Sequence, residues 1–279
     1  MTPDVVVAFI TVCGSVICTI FAGVFAVHQA KIINDKEDII RGYRLPSPIP
    51  NKDKRNTILL VALGGTGKTA LIRSLFQNQD ANPQEATMEF DIYHGIRESN
   101  RDATAESLHV KYWFRIADYK GQNIGDLVRA FIQQQKNPYP VLAYGFVDSL
   151  IIMVDLLPPK PTKESPELTP VANFDTNRVS HHVEQWNENA LNAIFGLLTA
   201  DLKYVCLFIN KIDLMANRTL SADEGYIDAF KVLIDRIKQR CGNARFEILL
   251  GSALKGAAIN VLEKNLMEHS VQNEGDQHV

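Results

Sequence analysis

The sequence predicts an α/β fold, a mostly parallel sheet flanked by helices, preceded by one N-terminal transmembrane helix. Strand-like and helix-like segments alternate from Asn56 onward. Nearly every strand-like segment is a continuous apolar run, which needs cover on both faces and so points to parallel strands between helical layers. The stretch Val5–Val27 carries no charged residue.

That first stretch is long enough, at 1.5 Å per helical residue, to cross a hydrocarbon layer of about 30 Å. A cleaved signal peptide fits less well: Asp4 precedes the run, no Lys or Arg does, and a signal h-region is shorter. Lys31, Lys36, Arg41 and Arg44 follow the run. The positive-inside rule therefore places the rest of the chain in the cytoplasm, as a single-pass protein. Residues 28–55 read as a juxtamembrane linker, broken by Pro46, Pro48 and Pro50. Its cations either touch anionic lipid or are simply solvated. Thr2 and the C-terminal Gln-His-Val offer no lipidation signal.

The chain of 279 residues has a net charge of −3 and 22% charged residues, a balance that does not point to nucleic acid. Its four cysteines, Cys13, Cys18, Cys206 and Cys241, have neither metal-ligand spacing nor the density of a disulfide scaffold.

The soluble part reads as one domain, 56–270. Thr57–Val61 is an apolar strand, and Thr69–Phe76 a helix. Met88–Tyr93 and Leu108–Ala117 alternate as strands, with the polar stretch 98–106 as the turn between them. Ile124–Gln135 is helical, Ser149–Val154 a buried strand, and His182–Leu198 one amphipathic helix. Tyr204–Ile209 is a strand, Tyr226–Arg240 one helix, Arg245–Leu250 a strand and Ala257–His269 the last helix. Residues 271–279 read as a disordered tail. Between the fourth strand and its helix lies a proline-rich insertion, 156–179, without apolar periodicity. It is either a partner site or a tolerated loop.

After the first strand comes Ala62-Leu63-Gly64-Gly65-Thr66-Gly67-Lys68-Thr69. The phosphate-binding pattern is G-x-x-x-x-G-K-[ST], here with Ala62 in place of the first glycine. Gly64, Gly65, Thr66 and Gly67 let successive backbone N–H groups face a phosphate, and the following helix N-terminus adds partial positive charge. Lys68 would reach the β- and γ-phosphates, and the Thr69 hydroxyl would ligate Mg²⁺.

Asp118-Tyr119-Lys120-Gly121-Gln122 follows the third strand, Asn210-Lys211-Ile212-Asp213 the fifth, and Gly251-Ser252-Ala253-Leu254 the last. In this order the motifs resemble those of the Ras-like small GTPase superfamily. In layout the chain looks similar to Arf-type GTPases and to the membrane-anchored beta subunit of the signal recognition particle receptor; the insertion departs from both. The resemblance implies that Asp118 holds Mg²⁺ through water, that the Gly121 N–H meets the γ-phosphate, and that Gln122 orients the attacking water. It implies that Asp213 accepts from guanine N1–H and N2–H₂, that the Lys211 stem packs over the base, and that Asn210 ties the base loop to the phosphate loop. Ser252 and Ala253 would place a backbone N–H at guanine O6. Thr87, just before the second strand, would ligate Mg²⁺ and touch the γ-phosphate.

The implied activity is hydrolysis of Mg²⁺–GTP to GDP and phosphate, by a membrane-anchored switch read by a protein effector and served by activating and exchange partners. Gln77–Thr87 contains no Lys or Arg, so turnover is expected to be slow without an activating partner. Two other classes stay open: a GTP-binding scaffold with little hydrolysis, and an ATP-using P-loop kinase or transport ATPase, which Asn210–Asp213 opposes.

Overall fold

Ile58, Leu59, Leu60 and Val61 have no exposed surface at all, so the first apolar run becomes the centre of the sheet. The computed structural model describes residues 53–76, 85–86, 90–99, 110–119, 124–125, 147–158, 170–198, 202–216 and 219–272, all within the compact unit Ile49–Val279. The expected membrane segment 5–27, most of the linker and most of the helix expected at 124–135 lie outside these residues. Among the described residues no helix is long and apolar enough to cross a membrane.

β1 (Lys54–Ala62) begins before the expected domain start at Asn56. Lys54 and Arg55 already pair with Tyr112 and Trp113, because ladder hydrogen bonds use backbone groups whatever the side chain. β2 (Glu85–Ala86) and β3 (Phe90–Ser99) form the antiparallel edge beside β4 (Val110–Tyr119). Part of the polar stretch expected to turn continues the ladder instead, to Ser99 opposite Val110. β5 (Ser149–Asp155), β6 (Tyr204–Asn210) and β7 (Arg245–Leu250) complete the sheet. The order is β2-β3-β4-β1-β5-β6-β7, with β4, β1, β5, β6 and β7 mutually parallel. From β1 the chain builds β2, β3 and β4 on one side and then crosses to β5 on the other, so the strand order reverses beside β1, a topological switch point. The carboxyl ends of the five parallel strands share one edge, which is where such sheets bind ligands.

α1 (Lys68–Leu75) buries Leu71, Ile72 and Leu75. Its last turn is held by Arg97, which ion-pairs with Glu263 at 2.5 Å and donates to the Leu75 carbonyl. The helix expected at 182–198 is instead two. α2 (Thr176–Gln185) starts inside the insertion, capped by Asp175, which accepts from the Arg178 N–H at 2.9 Å. α3 (Glu188–Leu198) starts afresh where Asn187 Oδ1 accepts from the Ala190 N–H at 3.0 Å. Between them Trp186 is wholly buried, and its carbonyl and that of Val183 receive Arg236. Both boundaries are short polar side chains that satisfy orphan N–H groups at a helix start.

The helix expected at 226–240 is likewise two, α4 (Leu220–Asp228) and α5 (Lys231–Lys238), separated by Ala229 and the fully buried Phe230. Thr219 caps α4 by accepting from the Ala222 N–H. α6 (Ile259–Glu268) is followed by β8 (Val271–Gln272), antiparallel to the start of β1. The first two residues of the expected tail are therefore paired; 273–279 lie outside the described residues.

Candidate functional site

The loop after β1 is shaped by its own residues. Thr66 is fully buried, and its hydroxyl donates to the Leu63 carbonyl at 2.6 Å. That hydroxyl therefore closes the loop rather than facing out of it. Gly65 and Gly67 have φ of 75° and 106°, values that cost an L-residue strain. A Cβ on Gly67 would stand 2.6 Å from Asn210 Nδ2. Ala62, the departure from the motif, is 1% exposed and still in the strand, opposite Met153. Its methyl group packs into the core and does not bear on the loop.

α1 opens from Gly67 with no side-chain cap and no acid in its first turn. Its first N–H groups and the positive end of its dipole are left for an anion. Lys68 stands at this end, with Nζ 3.9 Å from Asp118 Oδ1. Burial holds the Lys68 pKa below its usual value, against the pull of Asp118. Burial raises the Asp118 carboxyl to about 7; Lys68 opposes this, and Asp91, opposite it in the β3–β4 ladder, adds to it. Asp118 Oδ1 accepts no hydrogen bond among the described residues. A buried carboxylate oxygen beside a second acid, with the exposed Thr69 hydroxyl at the helix start, is a donor set that suits a divalent cation.

Asn210 joins three loops. It is 4% exposed; its Nδ2 donates to the Thr66 carbonyl at 2.7 Å and its Oδ1 accepts from the Ala253 N–H at 2.8 Å. The tie to the phosphate loop is the one expected from the sequence. The Ala253 N–H, expected at guanine O6, is here donated to Asn210, whose buried carbonyl needs a donor. Ser252 accepts from the Lys255 N–H, and Gly251 allows the chain past Phe208, which would lie 2.5 Å from a Cβ. Lys211 has a left-handed φ of 68°, a strained position for a side chain. It is fixed by the Ile212 N–H donating to the Gly251 carbonyl and by its own ammonium group. That group lies 2.5 Å from Asp155 Oδ2 and donates to the Leu157 carbonyl at 2.6 Å. Asp213 sits half-buried in the 3₁₀ turn Ile212–Leu214 that follows.

Lys68, Thr69, Asp118, Asn210, Lys211, Asp213, Ser252 and Ala253 thus all stand at the carboxyl edge of one sheet. Thr87, Gly121 and Gln122 lie outside the described residues.

Sequence reasoning missed Asp155, Arg178 and His182. Asp155 ends β5 with no exposed surface. Its Oδ1 meets His182 Nε2 at 2.5 Å and Arg178 Nε at 2.6 Å. The signal was present: an acid at the end of a wholly apolar strand must find partners when buried. The partners could not be read, because they come from the far end of a proline-rich stretch. That stretch is fastened to the base loop: the Val171 N–H donates to the Leu214 carbonyl and the Ala216 N–H to the Val171 carbonyl, both at 2.8 Å.

Strand order and loop residues together define a doubly wound α/β fold with a phosphate-binding-type loop between its first strand and first helix. No protein-family model matches the sequence, and no curated protein matches it. Solved structures do resemble it. The Arl6 (BBS3) small GTPase of Trypanosoma brucei, with a bound nucleotide analogue, is 16% identical over 77% of this chain and 96% of its own, at a TM-score of 0.43. Translation elongation factor SelB of Methanococcus maripaludis, with a GTP analogue, is 16% identical over 81% of this chain, at 0.44; the chain spans only 36% of its length. The G domain of the T. maritima FeoB iron transporter is 17% identical over 77% of this chain and 98% of its own, at 0.36. At this identity and overlap they add nothing to what strand order and loop residues establish.

Proposed function

We propose that this chain is a membrane-anchored GTPase switch. The observation that carries the reading is Asn210, which fastens the phosphate loop to both the N-K-x-D turn and the S-A-L loop. That bridge supports reading these loops as one site with a phosphate end and a base end. Gly64, Gly65, Gly67 and Lys68 bind the phosphates through backbone N–H groups and the ammonium. Asp213 selects guanine by accepting from its two ring-edge donors. Thr69, with Asp118 through water and Thr87, would hold Mg²⁺, which when bound offsets charge on the β- and γ-phosphate oxygens. Gln122 orients the attacking water. Among the described residues Arg178 is spent on Asp155 and Gly64, which accords with slow turnover until an activating partner supplies a cation. Val5–Val27 is the anchor, with the GTPase domain cytoplasmic; a protein effector reads the loops around Thr87 and Gln122.

The test is binding and single-turnover hydrolysis by the purified chain. GTP is expected to displace a fluorescent GDP while ATP does not. Bound GTP is expected to be hydrolysed, and Gln122→Leu to slow that step without weakening binding. Equal competition by ATP, or an unchanged GTP affinity in Asp213→Asn, would overturn the base assignment. Extraction of the full chain from membranes by alkaline carbonate would overturn the anchor.

A further inference from the structure

We propose that Arg178 is a positioning residue for bound nucleotide. Fixed by buried Asp155, it holds the phosphate loop at the Gly64 carbonyl, while Lys211 of the guanine loop rests on the other oxygen of the same carboxylate. The inference rests on the nucleotide-binding reading above and names what sets the spacing of that site.

Asp155 is completely buried, and an unpaired carboxylate there would be prohibitively costly. Its oxygens are divided. Oδ1 receives Arg178 Nε and His182 Nε2 from α2, and Oδ2 receives Lys211 Nζ from the loop that carries Asp213. Arg178 then reaches on with its outer nitrogen. That nitrogen donates to the Gly64 carbonyl at 3.1 Å and lies 3.4 Å from the Thr66 hydroxyl. A guanidinium is planar and its donors are fixed relative to one another, so gripping Asp155 with one nitrogen aims the other.

The grip on Gly64 matters because of peptide geometry. In a trans peptide the carbonyl of one residue and the N–H of the next point opposite ways, and none of the described peptides is cis. Holding the Gly64 carbonyl toward α2 therefore turns the Gly65 N–H to the other side of the loop. Gly65, at φ 75°, would otherwise be free to rotate. Arg178 thereby orients a donor that it never touches. Two cations against one carboxylate also leave a net positive charge beside the phosphate loop.

The region has a second fastening of the same kind. The insertion's described end is bonded to the guanine loop at Val171, and the Asp175 N–H donates to the Leu156 carbonyl. The segment that delivers Arg178 is thus attached to the guanine loop at Val171 and to the residue after Asp155 at Asp175.

The experiment measures dissociation of fluorescent GDP, GTP and inosine diphosphate from the purified full chain, wild type against Arg178→Lys and Arg178→Gln. Melting of the nucleotide-free protein and single-turnover GTP hydrolysis are followed alongside. A charge-assisted hydrogen bond predicts dissociation faster by about 10- to 100-fold, by the same factor for all three nucleotides. Arg178→Lys keeps a cation for Asp155 but cannot span to Gly64, so it should melt like wild type and still lose residence time. Combining Arg178→Gln with Lys211→Gln should cost less than the product of the single effects, since both act on one carboxylate. Wild-type residence in Arg178→Lys overturns the proposal. So does a thousandfold loss of hydrolysis with residence unchanged, which would mark Arg178 as a transition-state cation instead. If the wild-type chain binds no guanine nucleotide, the functional reading itself fails, and this inference with it.

Discussion

Asn210 spends both ends of one amide on two different loops, so its removal is felt twice. Asn210→Ala leaves the Thr66 carbonyl and the Ala253 N–H without partners, at about 1–3 kcal/mol for each group stranded. A urea titration should show that loss, and nucleotide affinity should fall with it. Gly67→Ala attacks the same bond from the other side. At φ 106° an L-residue is strained, by about 1–3 kcal/mol, and the new methyl would collide with Asn210 Nδ2. Where that strain bears on the nucleotide-bound loop, equilibrium binding of fluorescent GDP should weaken by the corresponding factor, about 5- to 150-fold. Both residues were legible in the sequence, because the loop motifs state their residue types at fixed spacing. The Asp155 cluster was not legible, since nothing in an apolar strand names the partner of its terminal acid.

At the scale of elements, the helix breaks decide what α2 can do. A helix running unbroken from 182 to 198 would place Asn187 in its interior; instead Asn187 caps α3, and Trp186 turns inward. Trp186→Ala should destabilise the protein by about 3–5 kcal/mol, read as a lower urea midpoint. α2 also carries a pH dependence. His182 is held below its ordinary pKa by burial, against the pull of Asp155 and with Arg178 and His181 adding slightly. The unfolded chain therefore takes up a proton near pH 6.5 that the folded protein refuses, and stability falls as pH drops below that value. Burial alone would raise Asp155, but hydrogen bonds from His182 and Arg178 and the Lys211 charge more than offset it. Its contribution is present above the ordinary carboxylate range and is lost only at more acid pH. Asp118, raised to about 7, takes up a proton over the same range and gains stability as pH drops, opposing His182. The test is therefore the difference: between pH 7.5 and 5.5 the urea midpoint of the wild type should fall relative to that of His182→Gln, which removes the His182 window and leaves those of Asp118 and Asp155.

For the whole molecule, one strand order brings the described motif residues to one edge. Because β1 lies between β4 and β5, Lys68 faces Asp118 on one side and the loop after β1 meets Arg178 on the other. A ligand that bridges these loops should stabilise the folded state by mass action. Saturation with GDP at a hundred times its dissociation constant would add about 2.7 kcal/mol, seen as a raised melting temperature, and ATP at the same concentration would add none. The alternation of apolar runs with helical segments determined the α/β class, and the spacing of glycines, Asn and Asp determined which loops bear chemistry. Those are local properties, set by backbone conformation and by residue type. The division of two long helical segments into four, the pairing of Val271 and Gln272 with β1, and the gathering of Arg178, His182 and Lys211 around Asp155 were decided only by tertiary structure. Each depends on burial, which is a relation between segments far apart in the chain, and a buried charge finds its partner only where the fold happens to bring one.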